Sequence, residues 1–245
     1  MKKILIIGNS FGTDAARYLY GVSRRGGEEL RVVNLFIGSC SLYRHYRCML
    51  SEEQAYSYEL NGHSTGLFVS LKQALLLDEW DYVVFQQCSP KSGEYETYQP
   101  YLSELSAYMR KLCPPAKQCL HLTWTFAEGC PRFDLSKFQT REDMQRETIA
   151  AYRRASKEIG TELIIPSAIA MWKLYEIKGA ETYRDGFHCN LGMTRYMLAC
   201  LWFSFFTGRS CIGNDFRDFD IPVSPEDAAL AERLAWEAIQ TELQP

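Results

Sequence analysis

Apolar residues along the chain fall into short runs, separated by stretches with a helical repeat. Residues 4–7, 30–36, 82–85, 118–124 and 163–165 are apolar-rich runs of strand length. Between and after them, residues 14–23, 66–77, 98–112, 141–159, 191–206 and 225–243 carry helical spacing. Thr13 is placed to cap the first helix, Pro114-Pro115 to stop the third and Gly160 to stop the fourth. Strands that alternate with helices predict a parallel sheet covered on both faces, because each crossover lays a helix on the sheet. No linker, repeat or low-complexity tract interrupts the pattern, so residues 1–245 are expected to form one domain.

Two connections are long for a compact domain. Residues 38–64 carry Tyr43, His45, Tyr46, Tyr56, Tyr58 and His63, and residues 125–139 carry Phe126, Phe133 and Phe138. Aromatic-rich loops at the carboxyl ends of strands are expected to wall a binding site. Trp124, at the end of the fourth strand, is expected to line it, and His45, Tyr43 and Asn9 to contact substrate.

Composition narrows the partners. A net charge of −3 with mixed acids and bases leaves no basic stripe, so neither nucleic acid nor an anionic membrane is an expected partner. No apolar run approaches the ~18 residues of a membrane span. The apolar run after Lys2-Lys3 passes directly into Gly8-Asn9-Ser10, so it reads as a first strand, not a signal peptide, and a cytoplasmic location is expected. Nine scattered cysteines contain no C-x-x-C pair and fit no disulfide framework. Cys113, Cys119 and His121 match no common zinc spacing, so no metal is expected.

The chemistry-bearing residues lie at opposite ends of the chain. Ser10 ends the first strand and opens a helix, where backbone N–H groups point at an anion. Gly8 and Gly12 match neither G-x-G-x-x-G nor a P-loop, which argues against a nucleotide site. Near the other end, Asp185-Gly186-Phe187-His188 sits in a polar, glycine-punctuated loop. An acid three residues before a histidine can hold one ring nitrogen and leave the other to take a hydroxyl proton. Ser10, His188 and Asp185 therefore supply a nucleophile, a base and an orienting acid.

With these blocks in this order, the chain resembles the SGNH (GDSL-like) hydrolase superfamily, and a bacterial branch of unassigned function that begins with Gly-Asn-Ser. Gly8-Asn9-Ser10 matches the strand-end serine block, although the commoner form has Asp where Asn9 stands. Gly38 matches the glycine after the second strand, and Asp185 and His188 match the Asp-x-x-His block. The resemblance implies a three-layer α/β/α sandwich around a five-stranded parallel sheet of flavodoxin-like order. It implies hydrolysis of an ester or O-acetyl group, with a carbohydrate or other small-molecule ester as substrate and no cofactor. The block that usually reads Gly-x-Asn-Asp after the third strand is absent. That strand ends Phe85-Gln86-Gln87-Cys88-Ser89, and Gln87 is the expected substitute donor, with Gln86 and Ser89 as alternatives. The oxyanion hole is then expected from the Ser10 and Gly38 N–H groups and the Gln87 side chain. Two rival readings stay open: a binding module that has lost turnover, and a cysteine enzyme using Cys88 or Cys189 with His188.

Overall fold

In a computed structural model, which describes residues 1–241, the chain folds around one central sheet flanked by helices. The strands are β1 (Lys2–Gly8), β2 (Leu30–Phe36), β3 (Tyr56–Leu60), β4 (His63–Val69), β5 (Tyr82–Phe85), β6 (Lys117–His121) and β7 (Ile164–Ile165). The helices are α1 (Ser10–Ala16), α2 (Leu19–Arg25), α3 (Leu42–Ser51), α4 (Leu71–Leu76), α5 (Tyr101–Leu112), α6 (Arg141–Ile159), α7 (Ser167–Lys178), α8 (Met193–Thr207) and α9 (Pro225–Gln240).

The sheet order is β4-β3-β2-β1-β5-β6-β7. Five strands, β2-β1-β5-β6-β7, are parallel, and they run in the expected order. The difference lies at one edge, where β3 and β4 add an antiparallel hairpin beside β2. The expected helix over 66–77 is therefore strand in its first four residues, and only α4 is helical. A hairpin signal was present in Asn61-Gly62, a pair suited to a two-residue turn with both residues left-handed. Both do have positive φ, 50° and 82°, and Leu60 pairs directly with His63.

Strand β1 is central because both its faces are apolar: Ile4, Leu5, Ile6 and Ile7 are all buried. Helices α1, α2, α7, α8 and α9 pack among themselves, while α3, α4, α5 and α6 form a second group. Right-handed crossovers from β1 outward in both directions place such groups on opposite faces of the sheet. The expected long helix over 141–159 appears with those bounds. The expected last helix ends at Gln240, and Leu243 lies outside the described residues. No helix of the described residues is long and apolar enough to cross a membrane.

Candidate active site

The first helix begins at Ser10, four residues earlier than the sequence pattern predicts. Asn9 is extended (φ −144°), and its side chain accepts a 3.1 Å hydrogen bond from Phe11 N, so Asn9 is the cap. Thr13, the expected cap, lies inside the helix and donates to Glu59 at 2.8 Å. Two glycines allow this tight strand-to-helix turn. A Cβ on Gly8 or Gly12 would lie 2.7 or 2.6 Å from Asn34 Oδ1, so a side chain at either position would have to displace the buried Asn34. Ser10 is left partly exposed at the carboxyl end of the central strand.

The Asp185–His188 segment is the tip of a narrow loop. Tyr183 and Cys189 form a bridge across its base, and Arg184 N donates to His188 O at 3.0 Å. Gly186 turns the tip with φ +85°. Both oxygens of Asp185 are used. Oδ1 accepts from His188 N at 2.8 Å and Phe187 N at 3.3 Å, and Oδ2 lies 2.7 Å from His188 Nδ1. The three-residue spacing thus lets one carboxylate fix both the turn and the ring. Burial works against the Asp185 charge, but the hydrogen bonds from the His188 ring and backbone outweigh it and hold the carboxyl below its ordinary range. The other ring nitrogen, His188 Nε2, lies 2.8 Å from Ser10 Oγ.

Asp14 ties this loop to α1, the helix that Ser10 opens. It sits one turn after Ser10 on α1, is fully buried, and accepts from Cys189 N at 3.0 Å. Arg184 (3.0 Å) and Arg195 (2.8 Å) balance its charge. Asp14→Asn removes that charge while keeping the shape, and is expected to cost about 2–3 kcal/mol of stability in urea unfolding. A loss below about 0.5 kcal/mol would mean the cluster does not hold the loop. Trp124 supports the loop from behind, donating to Phe187 O at 2.8 Å and stacking on Phe11 at 4.0 Å.

The model of a domain of unknown function, DUF4886, matches residues 3–238. The chain belongs to the DUF4886 family. A DUF4886 protein from Bacteroides uniformis has a crystal structure that superposes with a TM-score of 0.91 at 32% identity, over 98% of this chain and 95% of that one. More distant neighbours share the fold. A candidate SGNH hydrolase from Slackia heliotrinireducens matches with a TM-score of 0.55 and 20% identity, over 97% of this chain and 98% of that one. The esterase EstA from Pseudoalteromonas, in a structure inhibited by monoethylphosphonate, matches with 0.53 and 11% identity, over 98% and 97%. This DUF4886 chain therefore has the fold of SGNH hydrolases. A comparison with curated proteins finds no match.

Within this DUF4886 fold, Ser10, His188 and Asp185 come together, and several other expected site residues lie elsewhere. Gln87 is fully buried, and its side-chain amide is engaged at both ends. Its Oε1 accepts from Leu42 N (3.0 Å) and Cys88 N (2.9 Å), and its Nε2 donates to Thr97 O (3.2 Å) and Thr97 Oγ1 (3.1 Å). With both amide hydrogens committed, Gln87 anchors a loop and is not a free donor. Gln87→Ala is expected to destabilise the fold by about 2–3 kcal/mol by stranding buried N–H groups, and to leave the kcat of folded protein within about tenfold. A normal melting temperature with a large kcat loss would restore Gln87 to the site.

Trp124 is 1% exposed and supports the site from the core instead of lining a cleft. His45 is fully buried against Tyr56 (2.9 Å) and Cys40 (3.5 Å), and burial pushes its pKa down to about 3, so it is a neutral core group out of reach of substrate. Asn9, 3% exposed, works within the turn. Tyr43 alone of the four is exposed, packed edge-on against Tyr101 at 5.0 Å. Ser89 is buried in the turn that follows β5.

The connection over 125–139 reaches the site. Ala127 N donates to Gly186 O at 2.6 Å, and the Arg132 guanidinium lies 3.8 Å over the Phe187 ring. The connection over 38–64 mostly folds into α3, β3 and the hairpin turn, and its first residues meet the turn of residues 8–10, where Asn9 Nδ2 donates to Cys40 O at 3.1 Å. The two thiols of the cysteine reading are buried, and burial raises the pKa of Cys88 and, more strongly, of Cys189, which disfavours a thiolate. Asp14 is not among the expected site residues, and Gln86 is expected only as an alternative oxyanion donor, whereas the structure bonds it to Asn9. A signal for Asp14 was its place one helical turn beyond Ser10.

Proposed function

We propose that this protein is a serine hydrolase that cleaves a carboxylic ester through an acyl-enzyme. The observation that carries the reading is the continuous contact from Ser10 Oγ to His188 Nε2 (2.8 Å) and from His188 Nδ1 to Asp185 Oδ2 (2.7 Å). His188 takes the Ser10 proton as Oγ attacks the ester carbonyl. The imidazolium, stabilised by Asp185, then protonates the leaving alcohol as the tetrahedral intermediate collapses. Water repeats the sequence on the acyl-serine and regenerates the hydroxyl.

The oxyanion is received by Ser10 N and Gly38 N. Among the described residues, neither has a hydrogen-bond partner, which leaves both N–H groups free. A third donor from Gln87 is not available in this geometry, so slow turnover of simple aryl esters is expected; one such donor is typically worth ~2.7–4 kcal/mol. The resemblance to SGNH hydrolases and the esterase among the structural neighbours support ester hydrolysis, and an O-acetyl group on a carbohydrate is the substrate favoured by that resemblance.

The missing third donor also supports a second reading, a ligand-binding relative without turnover. One experiment separates the two. Intact-mass analysis after a fluorophosphonate probe, with peptide mapping, is expected to show a single adduct on Ser10. No adduct would favour the binding module, and an adduct on a cysteine would overturn the serine assignment.

A further inference from the structure

We propose that Asn9, Gln86 and His121 form a directed hydrogen-bond clamp that locks the nucleophile turn to the turn of residues 37–40, so that Asn9 cannot be replaced by aspartate without loss of turnover. The proposal rests on the ester-hydrolase reading above and concerns positioning residues of that same site.

Two backbone groups fix the direction of every bond in the clamp. Phe11 N can only donate, and it lies 3.1 Å from Asn9 Oδ1. Cys40 O can only accept, and it lies 3.1 Å from Asn9 Nδ2. The Asn9 amide is thereby pinned with its oxygen toward the helix and its nitrogen toward the turn. The same Asn9 Oδ1 lies 2.6 Å from the Gln86 side chain, so Gln86 must present Nε2 there. Its Oε1 then faces His121 Nδ1 at 2.8 Å, and an amide oxygen only accepts. His121 therefore carries its proton on Nδ1 and leaves Nε2 bare, and that nitrogen is buried without a partner.

The clamp is sealed from water. Asn9 is 3% exposed, Gln86 1% and His121 0%. The sheet explains why Gln86 and not Gln87 takes this place. Ile7 pairs with Phe85 across β1 and β5, so Gln86 comes level with Gly8, beside the nucleophile turn. Its neighbour points to the opposite side, because successive side chains alternate along a strand. The third block thus supplies an amide, but one that works on Asn9. Burial also pushes the His121 pKa down to about 3, so the ring stays neutral across the working range and the polarity of the chain does not reverse.

The far end of the clamp holds a strained element. Cys40 N donates to Ile37 O at 3.2 Å, closing a tight turn that contains Gly38. Ser39 in this turn has φ +53°, a left-handed conformation that strains a residue with a Cβ. The bond from Asn9 Nδ2 to Cys40 O ties that turn, and Gly38 within it, to the residue next to Ser10. An aspartate at position 9 would still accept from Phe11 N and from Gln86. Its second oxygen would face the Cys40 carbonyl with no hydrogen between them, and the turn would be released. The change that brings this chain closer to the commoner Gly-Asp-Ser form is therefore predicted to damage it.

The test measures Asn9→Asp and Gln86→Glu with an aryl acetate beside the wild type. Both variants are close to isosteric. Each is expected to lower kcat by about 10- to 100-fold while KM stays within about twofold, the pattern of a loss felt in the transition state. Fluorophosphonate labelling of Ser10 should slow in parallel. A kcat for Asn9→Asp at or above wild type overturns the proposal. Independently of any variant, the ¹⁵N shifts of wild-type His121 should report a protonated Nδ1 and a bare Nε2, and the opposite tautomer also overturns it. A wild type that forms no Ser10 adduct removes the hydrolase reading and the clamp's catalytic role with it. A wild type that labels normally beside unimpaired variants removes the clamp alone.

Discussion

Ser10→Ala should lower kcat for an aryl acetate by on the order of 10⁶-fold, the scale of losing the nucleophile of a serine triad. Its Oγ is the group in contact with His188 Nε2, at 2.8 Å. The two thiols nearest the proposed site residues in sequence are not poised to take over. Burial raises the Cys88 and Cys189 pKa values, so neither offers a thiolate. The backbone donors and His188 remain in the variant, so a residual rate over water of ~10³-fold is compatible with the reading. Steady-state hydrolysis corrected for the uncatalysed reaction is the measurement, and a Ser10→Ala rate within tenfold of wild type would show that another group attacks the ester.

Asp185→Asn should lower kcat by about 10³-fold. Asparagine can still accept from His188 N and Phe187 N, so the loop is expected to persist and the melting temperature to change little. What changes is the group facing His188 Nδ1. An amide nitrogen there favours the tautomer with its proton on Nε2, which points at Ser10 and cannot take its hydrogen. A sealed acid would give a loss nearer ~10⁴-fold, but the Asp185 side chain is 41% exposed and water partly replaces it. The pH dependence follows from the same pair. The Asp185 pKa is held below its ordinary value, so its contribution is complete above the ordinary carboxylate range and is lost only as pH falls through the lowered value. Wild type should therefore keep the Asp185 carboxylate charged to lower pH than an ordinary carboxylate, and the acid step belonging to Asp185 should be missing in Asp185→Asn. A variant with wild-type kcat would mean that Asp185 shapes the loop and nothing more.

Much of the fold was legible because the burial pattern was unambiguous. Four consecutive apolar residues behind Lys2-Lys3 can be satisfied only where both faces are covered, and β1 is the covered central strand. Helix α6 has Thr140 at one end and Gly160 at the other, and its bounds were read correctly. Strand β4 was not legible as a strand, because it is an exposed edge without alternation, and a stretch of mixed polarity leading into α4 passes for helix. Helix α7 is apolar around most of its surface, so no stripe announces it.

At the site, Asp-x-x-His carries its geometry locally, since three residues suffice to bring the carboxylate to the ring. Gln86 and Gln87 show the opposite case. They are adjacent and chemically identical, and only the register of β5 against β1 decides which one meets Asn9. The aromatic loop over 38–64 misled for a related reason. His45 and Tyr56 face each other inside α3 and β3, a pairing invisible without the third dimension.

The separation between Ser10 and His188 also orders events during synthesis. The two bonded side chains are 178 residues apart, and Asp14 meets Cys189 across a similar span. A ribosome therefore releases the nucleophile, the central strand and most of the sheet well before the base exists. Until the loop at 185–188 emerges and docks on α1, the growing chain holds an unactivated hydroxyl at the end of β1. On the proposed reading, the nascent polypeptide cannot hydrolyse an ester until that loop has docked on α1.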